Sequence, residues 1–179
     1  MVAKSHDNRT TGGAAPKGER GQAMLEFAML APLMILFMLV IVDIGIGLNH
    51  RVVVTNAARE GARHGATGAS IAEIKARTLE HSEGLVTDPA NVEVWFFDTN
   101  GDGDLLPGDA VAVGILYSYQ VMTSLPDIVA AFGGSMSTSF EMNACTDMRL
   151  EQVWVGATIT PGTSPCEGMP IPLPTVTPP

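Results

Sequence analysis

Gly21-Gln22-Ala23-Met24-Leu25-Glu26-Phe27 opens an apolar run that continues to Val42, and Thr55-Asn56-Ala57-Ala58-Arg59-Glu60-Gly61-Ala62-Arg63 closes the stretch that decides this chain's architecture. From Ala23 to Val42 the run is almost uninterrupted, and roughly 20 residues at about 1.5 Å rise cross the hydrocarbon core of a bilayer. Glu26 is the exception. A lone carboxylate near the start of a membrane segment is costly and calls for a partner, so it is a functional candidate.

Working outward, the helix is expected to begin near Gln22, to bend at Pro32, and to end about Arg63, before Gly65 and Gly68. A helix of about 40 residues is about 60 Å long, so half of it would project beyond the lipid. Gly45 and Gly47 permit close helix contacts. Asp43, at the outer end of the span, is expected to be a solvated interfacial residue. Residues 1–20 are polar and read as disordered. The apolar segment is too long for an ordinary signal-peptide core, and no Ala-x-Ala site follows it closely, so it reads as a retained anchor.

Beyond Gly68 the periodicity changes. Ser70 to His81 reads as a short amphipathic helix in which Ser70 and Glu73 have capping-box spacing. Val92, Val94 and Phe96 alternate with polar residues, as in a strand. Val111 to Tyr119 and Met136 to Ala144 repeat the pattern over Asp109–Val121 and Ser135–Asp147, with a short helix or loop over Leu125–Phe132 between them. Arg149 to Gly156 is either a fourth strand or the exit from the third. Thr160 to Pro179 is rich in proline, cannot pair in a sheet, and reads as extended. The fold class is therefore α+β: a long N-terminal membrane-spanning helix, a small and mostly antiparallel sheet domain with a short helix, and a proline-rich tail. The divisions fall at 1–21, 22–64, 65–159 and 160–179.

Charge is unevenly spread. From Ser82 onward Arg149 is the only basic residue against twelve acidic ones. Nucleic-acid binding needs basic surface, so that function is excluded for the outer domain. The positive-inside count favours a cytoplasmic N-terminus slightly. An extracytoplasmic domain suits Cys145 and Cys166, which can form one disulfide or remain two thiols.

The N-terminal stretch resembles the TadE-like family, minor pseudopilins of the tight-adherence (Tad) pilus. The matching pieces are Arg20 to Ala28, Pro32, Asp43-Ile44-Gly45 and Thr55 to Arg63, with looser matches at Pro107 to Val113 and Met148 to Glu151. The resemblance implies a pilin-like precursor cut by a prepilin peptidase on the cytoplasmic face, after Gly21, leaving Gln22 as the new N-terminus. Residues 1–21 would be a cleaved leader. Glu26 becomes the fifth mature residue. It is placed to neutralise the new α-amino group of an adjacent subunit, an ion pair that is strong in low dielectric if formed. Gly21 lets a peptidase approach the backbone. Asn56, Arg59, Glu60 and Arg63 share helical spacing and are candidates for docking the outer domain or a partner subunit, against the simpler reading of a solvated charged face. The implied partners are the membrane, other pilins or pseudopilins, the prepilin peptidase and the Tad secretion machinery.

Asp98-Thr99-Asn100-Gly101-Asp102-Gly103-Asp104-Leu105-Leu106-Pro107-Gly108-Asp109 has the oxygen spacing of an EF-hand loop. Asp98, Asn100, Asp102 and Asp109 stand at positions 1, 3, 5 and 12, Gly103 at 6, and Asp104 offers a carbonyl at 7. It resembles the calcium loop of dockerin-like modules, set here between strands. The expected cofactor is Ca²⁺; the same composition also suits a plain polar turn. The second functional reading is accordingly a single-pass, calcium-dependent adhesion module that never joins a pilus. Catalysis is not expected. His6, His50, His64 and His81 are scattered, and no phosphate loop, Cys-x-x-Cys or His-Glu-x-x-His is present, which also argues against a small-molecule substrate.

Overall fold

The computed structural model describes residues 17–154, 157–160, 164 and 166. The predicted leader, apart from its last turn, and most of the predicted proline-rich tail lie outside these residues. The chain divides into two compact units, one up to Val40 and one from Ile41 onward.

The first unit is the apolar part of helix α1, which runs from Lys17 to Ala66 with Pro32 inside it. Met24, Phe27, Met34, Phe37 and Met38 all lie exposed on it. A helix apolar on every face belongs in lipid or in a bundle. By length and composition it is the one helix among the described residues able to cross a membrane.

The second unit begins with the last two apolar residues of the span, Ile41 and Val42. It contains the rest of α1, helix α2 (Ile71–Glu80), a 3₁₀ turn at Pro89–Asn91, and strands β1 (Val92–Phe97), β2 (Ala110–Gln120) and β3 (Ser139–Arg149), with helix α3 (Leu125–Ala131) between β2 and β3. The sheet is antiparallel in the order β1-β2-β3. The expected α+β class is observed.

The local signals act where the sequence places them. Ser70 accepts from the Glu73 backbone N–H while the Glu73 carboxylate accepts from the Ser70 N–H, so two otherwise orphaned donors at the start of α2 are satisfied. Gly68 follows the end of α1 at φ +91°, a conformation open to glycine at little steric cost. Several boundaries differ from expectation. α1 begins at Lys17, within the segment expected to be disordered, and runs through Gly65 to Ala66 rather than ending about Arg63. β3 starts at Ser139 rather than Ser135, because Gln120, the last residue of β2, pairs with Ser139 and leaves the preceding residues no ladder partner beyond one Val121 N–H to Thr138 carbonyl bond. The fourth strand is reduced to one bridge, Leu105 with Trp154, so Arg149–Trp154 is chiefly the exit from β3.

The core lies between one face of the sheet and the two helices. Val111, Val113 and Ile115 of β2, Val92 and Phe96 of β1 and Ala144 of β3 pack on Val54, Ala57, Ala58, Ala62 and Ala66 of α1 and on Ile74 of α2. Each large aliphatic or aromatic side chain so buried contributes roughly 1.5–3 kcal/mol. The face of α1 toward the sheet is small: Gly61 and Gly65 lie between the alanines, and both are buried. A Cβ at Gly65 would stand 3.0 Å from Ile74 Cδ1 and 3.1 Å from Val111 Cγ2. The close approach of helix and sheet is therefore set by side-chain size.

The opposite face of the sheet carries a smaller cluster of Phe97, Ala110 and Ala112, with Trp95 and Cys166 packed against it. Cys145, paired with Gly114 in the ladder, is disulfide-bonded to Cys166 at a Cα–Cα distance of 5.3 Å. Cys166 itself is thus held on this second face.

Candidate functional site

Four places carry the candidate residues. At the first, Gly21 and Gln22 lie within α1, one turn before Glu26. The Gln22 side-chain amide donates to a Glu26 carboxylate oxygen at 3.1 Å, and both residues are exposed. The i, i+4 spacing permits this bond, and the carboxylate retains acceptor capacity for a second donor.

Asp43 forms the second place. It is buried, not solvated as its position in the sequence suggested. One carboxylate oxygen accepts from the Tyr119 hydroxyl at 3.2 Å, the Met122 N–H at 3.2 Å and the Thr123 N–H at 3.3 Å. The other accepts from the Thr123 hydroxyl. A buried carboxylate is tolerated when it is so fully hydrogen-bonded. These bonds tie the end of β2 to the first turn of α1 beyond the span. Two turns further on, His50 Nδ1 lies 2.9 Å from the Tyr117 hydroxyl, and its ring meets Tyr119 edge-on. Gly47 is buried beside Tyr119 and Met142. Sequence reasoning missed this lock because the partners stand 76 to 80 positions downstream. The available signal was the coincidence of an acid at the end of the span with tyrosines on the core face of β2.

The polar face of α1 forms the third. Glu60 reaches Arg77 of α2 at 3.1 Å, and Arg77 also holds Glu80 at 3.0 Å. Arg63 lies 3.5 Å from Glu60. Asn56, Arg59 and Arg63 are exposed. Within the chain, then, Glu60 alone of the four binds another element, and the small-residue face does the docking. Asn56 and Arg59 are exposed, and among the described residues Arg63 pairs only with Glu60, on its own helix.

The acidic loop is the fourth. Its winding is a series of side-chain-to-backbone turns: Asp98 accepts from the N–H groups of Asn100, Gly101 and Gly103, Asn100 from that of Asp102, and Asp102 from that of Asp104. Gly101 and Gly103 take φ +79° and +87°. Asp109 is almost wholly buried at the base of the loop. One oxygen accepts from the Thr99 N–H and hydroxyl, both at 2.9 Å, and the other from the Leu106 N–H at 2.7 Å. Burial pushes this carboxyl up, but the Leu106 and Thr99 donors outweigh burial and hold it below the ordinary aspartate range. Among the described residues no three Asp, Glu, His or Cys side chains gather at one point. To hold an ion, Asp98, Asn100, Asp102 and Asp109 would have to share with it side-chain oxygens that now accept N–H bonds, while Asp104 would offer its carbonyl.

No curated protein and no solved structure matches the chain. Residues 21–63, from the processing candidates through most of the docking face of α1, match the family model described as TadE-like protein.

Proposed function

We propose that this chain is a TadE-like minor pseudopilin, a membrane-anchored structural component of Tad pilus assembly. The observation that carries this reading is the match over residues 21–63, whose first half is a helix with an uncovered apolar surface. In this reading a prepilin peptidase cuts after Gly21 on the cytoplasmic side. Gln22 then bears the α-amino group, and Glu26 of a neighbouring subunit neutralises it as the apolar helices bundle. The acidic domain is displayed on the extracytoplasmic side. Its exposed Asn56, Arg59 and Arg63 face other pilins or pseudopilins. The action is structural and needs no chemistry at a catalytic residue.

Protein purified from membranes of cells carrying the peptidase is expected to begin at Gln22 when its N-terminus is sequenced. Gly21→Leu is expected to leave the leader attached. Glu26→Gln is expected to be cut normally and to fail in co-isolation with pilins. Material that retains residues 1–20 in the unaltered chain removes the reading.

The acidic loop supports a further proposal, that its Asx-turn winding closes on a calcium ion with Asp98, Asn100, Asp102 and Asp104 as ligands and Asp109 at the twelfth position. Binding to the folded form alone raises stability by mass action. Calcium is therefore expected to raise the unfolding midpoint of the full chain over that in chelator, followed by the emission of Trp95 and Trp154. Equal midpoints dispose of the ion. An intact leader together with a calcium shift would favour the anchored adhesion module instead.

A further inference from the structure

The connection between β2 and β3 differs in character from the rest of the acidic domain. Between Val121 and Thr138, Asp127 is the only charged residue. Phe132 is 87% exposed and Met122 68%, and Met136 and, just inside β3, Phe140 are exposed as well. Leu125, at the start of α3, is buried, whereas Phe132, just past its end, faces solvent. Large apolar side chains grouped on an otherwise acidic surface mark a contact site.

The position of this tip identifies what it contacts. Met122 and Thr123 donate to Asp43, the residue that directly follows the apolar span. The tip therefore stands level with Ile41, Val42 and Ile44, which are themselves exposed. Met122 thus lies beside the last apolar residues of the span, Ile41 and Val42. The acidic loop lies at the other end of β2, eleven residues away, or about 35 Å at strand rise. Charge and apolar surface are thus separated along the length of the sheet.

We infer that the β2–β3 connection is a lipid-contacting tip that seats Met122 and Phe132 in the interfacial layer of the outer leaflet, with the Asp43 bonds setting its depth. The partner is a lipid surface, engaged by apolar insertion rather than by charge, since the connection itself carries no cation for anionic headgroups to recruit. Seated in this way, the sheet is held at a fixed height over the membrane before any subunit is extracted. The inference rests on the membrane-anchored reading of α1.

The test uses the full chain in phosphatidylcholine vesicles, with an environment-sensitive fluorophore on single introduced cysteines: Phe132→Cys at the tip, Leu33→Cys in the span and Asn100→Cys in the acidic loop. All three positions are exposed, so labelling leaves the core intact. A lipid carrying a spin label near its headgroup is expected to quench the tip label about twofold, as for a group sunk 5–10 Å into the interface, and to leave the Asn100 label bright. A deep spin label is expected to quench the Leu33 label. If Leu33 is quenched and Phe132 is as bright as Asn100, the anchor stands and the tip inference falls. If Leu33 is bright, the membrane reading itself fails and the inference with it. Shielding of Phe132 that appears only as protein density rises would assign the surface to a second copy of this chain and overturn the lipid assignment.

Discussion

Gly61→Ala is expected to destabilise the outer domain by about 2 kcal/mol, as overpacking of a filled core does, although alanine is the better helix former by about 1 kcal/mol. The reason is a single contact. A Cβ on residue 61 would lie 2.1 Å from Thr78 Oγ1, 3.3 Å from Thr78 Cβ and 3.4 Å from Val113 Cγ1. Thr78 is fully buried in α2, and its hydroxyl donates to the Ile74 carbonyl at 2.8 Å. Its β-branched side chain has few rotamers to retreat into. The added methyl must therefore push α1 away from α2 and from the sheet together, and Gly61→Val is expected to be worse. Thr78→Ala removes the obstructing group, so Gly61→Ala combined with Thr78→Ala should lose less than the two single changes added together. Urea unfolding of the full chain in detergent measures this, with Trp95 and Trp154 as reporters that both lie outside the span. A midpoint for Gly61→Ala at or above that of the parent chain would show that the two helices are not in the contact described.

The same contact shows what the sequence could and could not reveal. The apolar length from Ala23 to Val42, the capping pair Ser70 and Glu73, and the alternation along β1 and β2 are local patterns, each set by one element's own geometry, and each was legible. The four polar residues Asn56, Arg59, Glu60 and Arg63 drew attention because charge stands out in a sequence. The residues that dock the helix are the ones between and just beyond them, Ala57, Ala58, Gly61, Ala62 and Gly65. Their role comes from having little side chain, which becomes informative only when a sheet lies opposite. Asp43 illustrates the converse. Alone it is an acid at a membrane boundary, where solvation is the economical expectation. Its burial depends on Tyr119, Met122 and Thr123, and the strand that delivers them returns to α1 only in the folded domain. For the calcium loop, spacing supplied the ligand types in order. It could not supply the competition from Thr99 and Leu106 for Asp109, which comes from the hairpin closing on itself.

That competition leads to the second large effect. Asp109→Asn is expected to cost about 2 kcal/mol and Asp109→Ala about 3 kcal/mol, since each leaves buried donors without a full partner. Asparagine keeps one acceptor oxygen, but its NH₂ must then face a donor, either the Leu106 N–H or the Thr99 pair. Alanine strands the Leu106 N–H and the Thr99 N–H and hydroxyl together. The acid dependence follows from the direction in which the Asp109 carboxyl is moved. Its folded value lies below the ordinary 3.8, so the unfolded chain takes up the proton first as pH falls. The contribution of the carboxylate is complete above the unfolded value, declines as pH falls below it, and is lost once pH passes the folded value. Below about pH 4 the parent chain should therefore lose stability more steeply than Asp109→Asn, and the two curves should converge in acid. Running the series in chelator separates this pin from any ion, because a carboxylate that acts only through Thr99 and Leu106 gives the same acid limb with calcium and without it. Parallel acid limbs for parent and Asp109→Asn would mean that the hairpin does not depend on this carboxylate.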